Sequence, residues 1–101
     1  MTYTLHTIQP EGEVLSSTQT AAPSLQALQD IVGGYIQTVP RFNTYKGSRC
    51  IVYVNEEGRM QNLPFNQTAT DLWLEQDELI AQPLVGNVVV ICADQHLLDK
   101  L

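Results

Sequence analysis

Residues 25–36 read Leu-Gln-Ala-Leu-Gln-Asp-Ile-Val-Gly-Gly-Tyr-Ile, and the rest of the chain is organised around them. Leu25, Leu28 and Val32 recur at helical spacing, and Ile31 widens the stripe, so the segment predicts a short amphipathic helix. Ser24 stands where a hydroxyl accepts an orphan backbone N–H at the helix start. Gly33-Gly34 ends the helix, because glycine adopts the left-handed C′ conformation without penalty. A strand over Tyr35 to Val39 follows, stopped by Pro40. A phosphate-cradling loop would need its amides at a helix N-terminus, whereas this glycine pair follows the helix it terminates.

Upstream, Thr2 to Ile8 alternates, with Tyr3, Leu5 and Thr7 on one face and Thr4, His6 and Ile8 on the other. Gln9-Pro10-Glu11-Gly12 is turn chemistry, and Glu13 to Ser17 returns as the second strand of a hairpin. Ser16 to Ala22 is small and polar, the composition of a connection.

Downstream, Arg41 to Arg49 reads as a polar loop or a ragged hairpin tip containing Asn43 and Gly47. Cys50-Ile-Val-Tyr-Val54 is apolar on both faces and predicts a central strand. Asn55-Glu56-Glu57-Gly58 is a turn with glycine expected at positive φ, and Arg59 to Leu63 is a candidate partner strand. Pro64-Phe65-Asn66 leads into a second helix from about Gln67 to Gln76, capped by Asn66 or Thr68, with Ala69, Leu72 and Trp73 as its buried stripe. Leu79 to Leu84, broken by Pro83, fits either a further strand or a connection. Val85 to Ala93 predicts a fully buried strand, and Asp94 is placed to cap a short final helix reaching Leu101.

The expected architecture is a single α+β domain over residues 1–101, in the order β-β-α-β-β-(β)-α-β-α. Its mixed or mainly antiparallel sheet has about five strands, with the two main helices on one face and a short C-terminal helix. An exposed edge strand in such a sheet would allow two copies to pair as a homodimer.

Composition narrows the function classes. The hydrophobic fraction of 44% and charged fraction of 16% are globular values. Five basic residues against eleven acidic ones, for a net charge of −6, argue against a nucleic-acid partner and leave a protein partner open. Mimicry of nucleic-acid charge calls for a denser acidic run. Cys50 and Cys92 sit in apolar, β-branched surroundings and read as buried thiols, with a disulfide open only if their strands are neighbours. With His6 and His96 far apart in the sequence, no metal site or other cofactor is expected. The opening Met-Thr-Tyr-Thr-Leu-His lacks the cationic and apolar regions of a signal peptide, and no apolar run reaches membrane-spanning length. A cytoplasmic protein with no membrane association is expected.

No residues form a catalytic constellation. Glu56 and Glu57 are neighbours in a turn and should point different ways into water, whereas paired catalysis needs two carboxylates facing one enclosed substrate. His6 and His96 have no Ser, Cys or Asp at a spacing that suggests a triad. The expectation is therefore a non-enzymatic protein-interaction module. The alternative is a small-ligand pocket where the Gly-Gly-Tyr turn, the Asn-Glu-Glu-Gly turn and the Pro-Phe-Asn segment meet. Its candidate residues are Tyr35, Asn55, Glu57 and Asn66 for polar contacts and Gly34 for close backbone approach. An enzyme is the least favoured class.

Four separate segments, in order, carry a resemblance. They are Leu25-Gln-Ala-Leu-Gln with Val32-Gly-Gly-Tyr-Ile-Gln37, Tyr53-Val-Asn-Glu-Glu-Gly-Arg59, Leu63-Pro-Phe-Asn66 with Ala69-Thr70, and Leu84-Val-Gly-Asn-Val-Val-Val90. Together, over about residues 24 to 92, they resemble domain-of-unknown-function family 3846, which occurs in bacteria, phages and plasmids. Gln37 stands where the family often has Glu, and Asn87 where it often has Asp. The resemblance implies a small cytoplasmic protein, often from mobile elements and so a candidate modulator of a host protein. It implies no activity and supplies no catalytic residues.

Overall fold

A computed structural model describes residues 1–80 and 82–101. The elements are β1 (Tyr3–Ile8), β2 (Val14–Gln19), α1 (Leu25–Val32), β3 (Ile36–Thr38), β4 (Thr44–Tyr45), β5 (Ser48–Asn55), α2 (Gln67–Leu74), β6 (Val88–Cys92) and α3 (Gln95–Leu98). The six strands form one antiparallel sheet in the order β2-β1-β6-β5-β3, with the short β4 folded back on β5. The α+β class and the antiparallel sheet agree with the sequence reading, with β4 among the strands in place of the partner strand expected over Arg59 to Leu63.

Local chemistry accounts for most boundaries. Ser24 Oγ accepts the Ala27 N–H at 3.0 Å, and Gly33 closes α1 at φ 82°, donating its N–H to the Gln29 carbonyl at 2.8 Å. In the β1–β2 hairpin Gly12 sits at φ 100°. The Gln9 N–H donates to Glu13 and the Gly12 N–H donates to Gln9, a turn followed by a glycine bulge. Lys46 and Gly47 both take positive φ between β4 and β5, which makes the expected ragged tip a tight two-residue hairpin loop. Two expectations fail here. Arg59 to Leu63 is a run of turns, with the Gln61, Asn62 and Leu63 amides donating to Glu57, Arg59 and Gly58, so these groups are spent locally. Gly58 is absent from the positive-φ positions; a Cβ there would meet Val85 Cγ2 at 2.8 Å, so close approach is what excludes a side chain. In the 79–84 stretch the described residues form no strand, the single Phe65–Val85 bridge following just after it, and Ala81 lies outside the described residues.

The helices do not share a face. All five residues of β6 are buried, and they alternate between two cores. Val88, Val90 and Cys92 join Ile8, Cys50, Val52 and Val54, under Ala69 of α2 with Leu72 and Trp73 packed against them. Val89 and Ile91 join Tyr3, Leu5 and Tyr53, under Leu28 and Val32 of α1 and Leu97 and Leu98 of α3. The expectation of two helices on one face is corrected for a physical reason. β5 and β6 are apolar on both sides, and a single helical layer would leave one apolar face in water. Full burial of a residue such as Leu28 or Val32 is worth about 1.5–3 kcal/mol, so each helix docks firmly on its own side.

Candidate functional site

The antiparallel ladders bring the C-terminal end of β5 and the N-terminal ends of β3 and β6 to one end of the sheet. Three turns therefore meet there. The Glu56 N–H donates to the Tyr35 carbonyl at 2.8 Å, joining the Gly-Gly-Tyr turn to the Asn-Glu-Glu-Gly turn. The Asn66 N–H donates to Leu84 and the Gly86 N–H to Pro64, fastening the Pro-Phe-Asn segment beside them.

Of the five candidate residues, Gly34, Tyr35, Asn55 and Glu57 are brought together and Asn66 is directed elsewhere. Gly34 permits a close approach, but to the protein itself: a Cβ would sit 2.9 Å from Asn55 Nδ2. The Asn55 amide donates to the Val32 carbonyl and to Gln61 Oε1, each at 3.1 Å, while its Oδ1 accepts the Glu57 N–H at 2.8 Å. Asn66 is fully buried. Its amide donates to the Ile8 and Gly86 carbonyls at 2.9 and 2.8 Å, and its Oδ1 caps α2 by accepting the Ala69 N–H at 3.0 Å. Both asparagines have spent every side-chain donor and anchor the turns. Tyr35, at 66% exposure, lies with Gly34 and Glu57 in a shallow depression beside Gln26, Asp30 and Gln61 of the α1 side.

On the α2 side of the Asn55 turn lies a half-open cleft of about 330 Å³. Its walls are Val54, Trp73, Leu84, Val85 and Pro83, with Val39 and Pro40 at one end and Met60 at the rim. Trp73 Nε1 donates to the Pro40 carbonyl at 2.8 Å, which fixes the indole as a wall, and an Arg59 to Pro83 carbonyl contact of 3.4 Å ties the two lips. Glu56 and Glu57 both border the cleft, Glu56 exposed and Glu57 shared with the depression on the α1 side. Sequence reading missed this apolar lining. Trp73 is the one part with a signal, and there the helical stripe pointed to core.

Elsewhere, the β1–β2 register sets His6 Nδ1 2.7 Å from Ser16 Oγ, a contact that spacing did not suggest. The ring packs against Tyr45 with centroids 4.7 Å apart and planes tilted by 45°, and burial together with the Lys46 charge lowers its pKa from the ordinary value. Among the described residues no carboxylate bonds this ring, so the pair lacks the orienting group of a nucleophilic triad. Cys50 and Cys92 are direct cross-strand neighbours, and both are free thiols. Burial, with repulsion from Cys92, pushes the Cys50 thiol up to about 12, and burial raises Cys92 as well. Thiols held this firmly protonated are poor nucleophiles and poor metal ligands. Among the described residues no three His, Cys, Asp or Glu side chains come together where they could hold a metal ion, and no helix is long and apolar enough to cross a membrane.

No curated protein and no solved structure matches the chain. The family model described as "Domain of unknown function (DUF3846)" matches residues 3–98, from the first residue of β1 to the last of α3. The match takes in the N-terminal hairpin and the final helix, beyond the four segments that carried the resemblance. This chain belongs to the DUF3846 family.

Proposed function

We propose that the protein is a non-enzymatic interaction module that takes an extended segment of a protein partner along the outer edge of β3 and into the adjoining cleft. One observation carries this reading: among the described residues, a strand edge with no partner runs beside an apolar cleft. The Val39 N–H donates to Val52, and Tyr35 accepts from Glu56, so the odd-numbered residues face β5. By the alternation of an antiparallel ladder, the N–H and C=O groups of Ile36 and Thr38 face outward. An added strand would bond to these groups and seat an apolar side chain against Trp73, Leu84 and Val85. The acidic pair at the lip, Glu56 and Glu57, favours a segment with a basic residue next to the apolar one.

A small organic ligand is the second reading, supported by a volume at the low end of ligand pockets. It is weaker because Asn55 and Asn66, its natural polar contacts, are already saturated. A cytoplasmic setting and a host-protein target, as for a mobile-element protein, fit the family's occurrence in bacteria, phages and plasmids.

The test is affinity capture from bacterial lysate at physiological salt with three baits. Thr38→Pro blocks an outward N–H without breaking the bonds to β5, and Met60→Glu places a charge on the exposed rim. A partner held by the native chain and lost from both variants supports the proposal. A partner retained equally by both, or none recovered, overturns it.

A further inference from the structure

The opposite edge of the sheet differs from β3 in length and composition. β2 is the outermost strand on that side and is exposed along almost all of its length. Its sequence, Val-Leu-Ser-Ser-Thr-Gln, contains no charge and no proline, although the chain as a whole carries −6. Natural edge strands are usually guarded by charges, prolines, bulges or extreme shortness; among these β2 has only the bulge at its turn.

We propose that β2 pairs antiparallel with the β2 of a second copy, joining two sheets into one across a two-fold axis at Ser16. The hydrogen bond from Gln9 to Glu13 sets the parity of the hairpin, so Leu15, Ser17 and Gln19 bond inward to β1. The N–H and C=O groups of Val14, Ser16 and Thr18 face outward. A register with Ser16 opposite Ser16, and Val14 opposite the second copy's Thr18, satisfies all of these groups on both strands at once. It also sets the half-exposed Leu15 diagonally across the axis from its own copy on one face, and Val14 beside Thr18 on the other.

Charge selects the direction. Glu11 and Glu13 precede β2, while uncharged Thr20, Ala21 and Ala22 follow it. Antiparallel pairing sets Glu13 against the second copy's Gln19 and Glu11 against its Ala21. Parallel pairing would align glutamate with glutamate. The isologous contact closes on itself, so it consumes the exposed edge without seeding a filament.

Sedimentation equilibrium over about 1–200 µM tests this, together with amide hydrogen exchange. The native chain should approach twice its 11.3 kDa mass as concentration rises. In the dimer the Val14, Ser16 and Thr18 amides should exchange at least about tenfold more slowly than at the dilute end. Ser16→Pro removes an outward donor, and Leu15→Lys sets two cations across the axis while keeping every backbone group. Both should sediment as folded monomers, whereas Thr38→Pro on the opposite edge should still dimerise. A native chain that stays at monomer mass throughout overturns the proposal, as does a dimer that survives Leu15→Lys or is lost in Thr38→Pro.

Discussion

Asn66 is the residue whose substitution most sharply separates a structural role from a binding role. Asn66→Ala removes the acceptor for the Ala69 N–H and both donors that reach the Ile8 and Gly86 carbonyls. Loss of an N-cap acceptor costs about 1 kcal/mol. The Gly86 carbonyl left buried without a partner costs about 1–3 kcal/mol, since the site is closed to solvent, whereas the Ile8 carbonyl keeps its ladder bond to β6. The total is about 2–4 kcal/mol, a substantial part of the 5–15 kcal/mol that typically holds a domain of this size. Asn66→Ser keeps an oxygen for the cap and loses the amide donors, so it should recover only about 1 kcal/mol of that loss. Urea unfolding followed by Trp73 fluorescence and by far-ultraviolet circular dichroism measures both variants, with coincident transitions confirming two-state behaviour. A cost below about 1 kcal/mol for Asn66→Ala would refute the reasoning and return the side chain to the binding candidates.

Other consequences follow from the same geometry. Gly34→Ala drives a Cβ into the Asn55 amide that ties the two turns, and should destabilise by about 1–3 kcal/mol in the same urea assay. With Cys50 at about 12 against an ordinary 9.0, its thiolate fraction at pH 8 is about a thousandfold below that of an unfolded thiol; a disulfide reagent should label the native chain correspondingly slowly and the urea-unfolded chain at once. Asp77 is held below its ordinary value of 3.8 first by its hydrogen bond from Arg41 and next by the Leu79 N–H. Its contribution is therefore present above that value and lost as pH falls through the lowered one, so Asp77→Asn should flatten the acid limb of the stability curve. His6 has a lowered pKa, so the fold favours its neutral form and should lose stability as pH drops from about 6.5 through the lowered value, a loss that His6→Gln removes in pH-resolved thermal melts.

The readable parts of this fold are those whose chemistry is local. Ser24 and Gly33 bracket α1 by hydrogen bonds within a few residues, and Val88 to Cys92 declares a strand buried on both sides by being apolar throughout. That same uniformity hid the arrangement of the helices. A strand with two apolar faces carries no mark of which helix covers which face. Gly58 looked like a turn glycine because the sequence shows its neighbours in the chain, whereas the reason for it, Val85, lies far along it. The turns that carry Asn55 and Asn66 lie at one end of the sheet, yet whether a polar side chain is free or saturated depends on carbonyls such as Val32 and Ile8 that only the folded chain brings near. The Cys50–Cys92 pairing and the cleft walls are likewise products of register and long-range packing. Family membership was legible because it needs only residues in order.

The central claim is that β3 and its cleft accept an extended peptide segment. The direct measurement is amide exchange at Ile36 and Thr38 with a peptide selected from a random displayed library. The account predicts that selected peptides share a bulky apolar residue, that saturating peptide slows exchange at those two amides at least about tenfold, and that Thr38→Pro abolishes binding. Peptides that bind with unchanged exchange at Ile36 and Thr38, or that bind Thr38→Pro as tightly as the native chain, would contradict it.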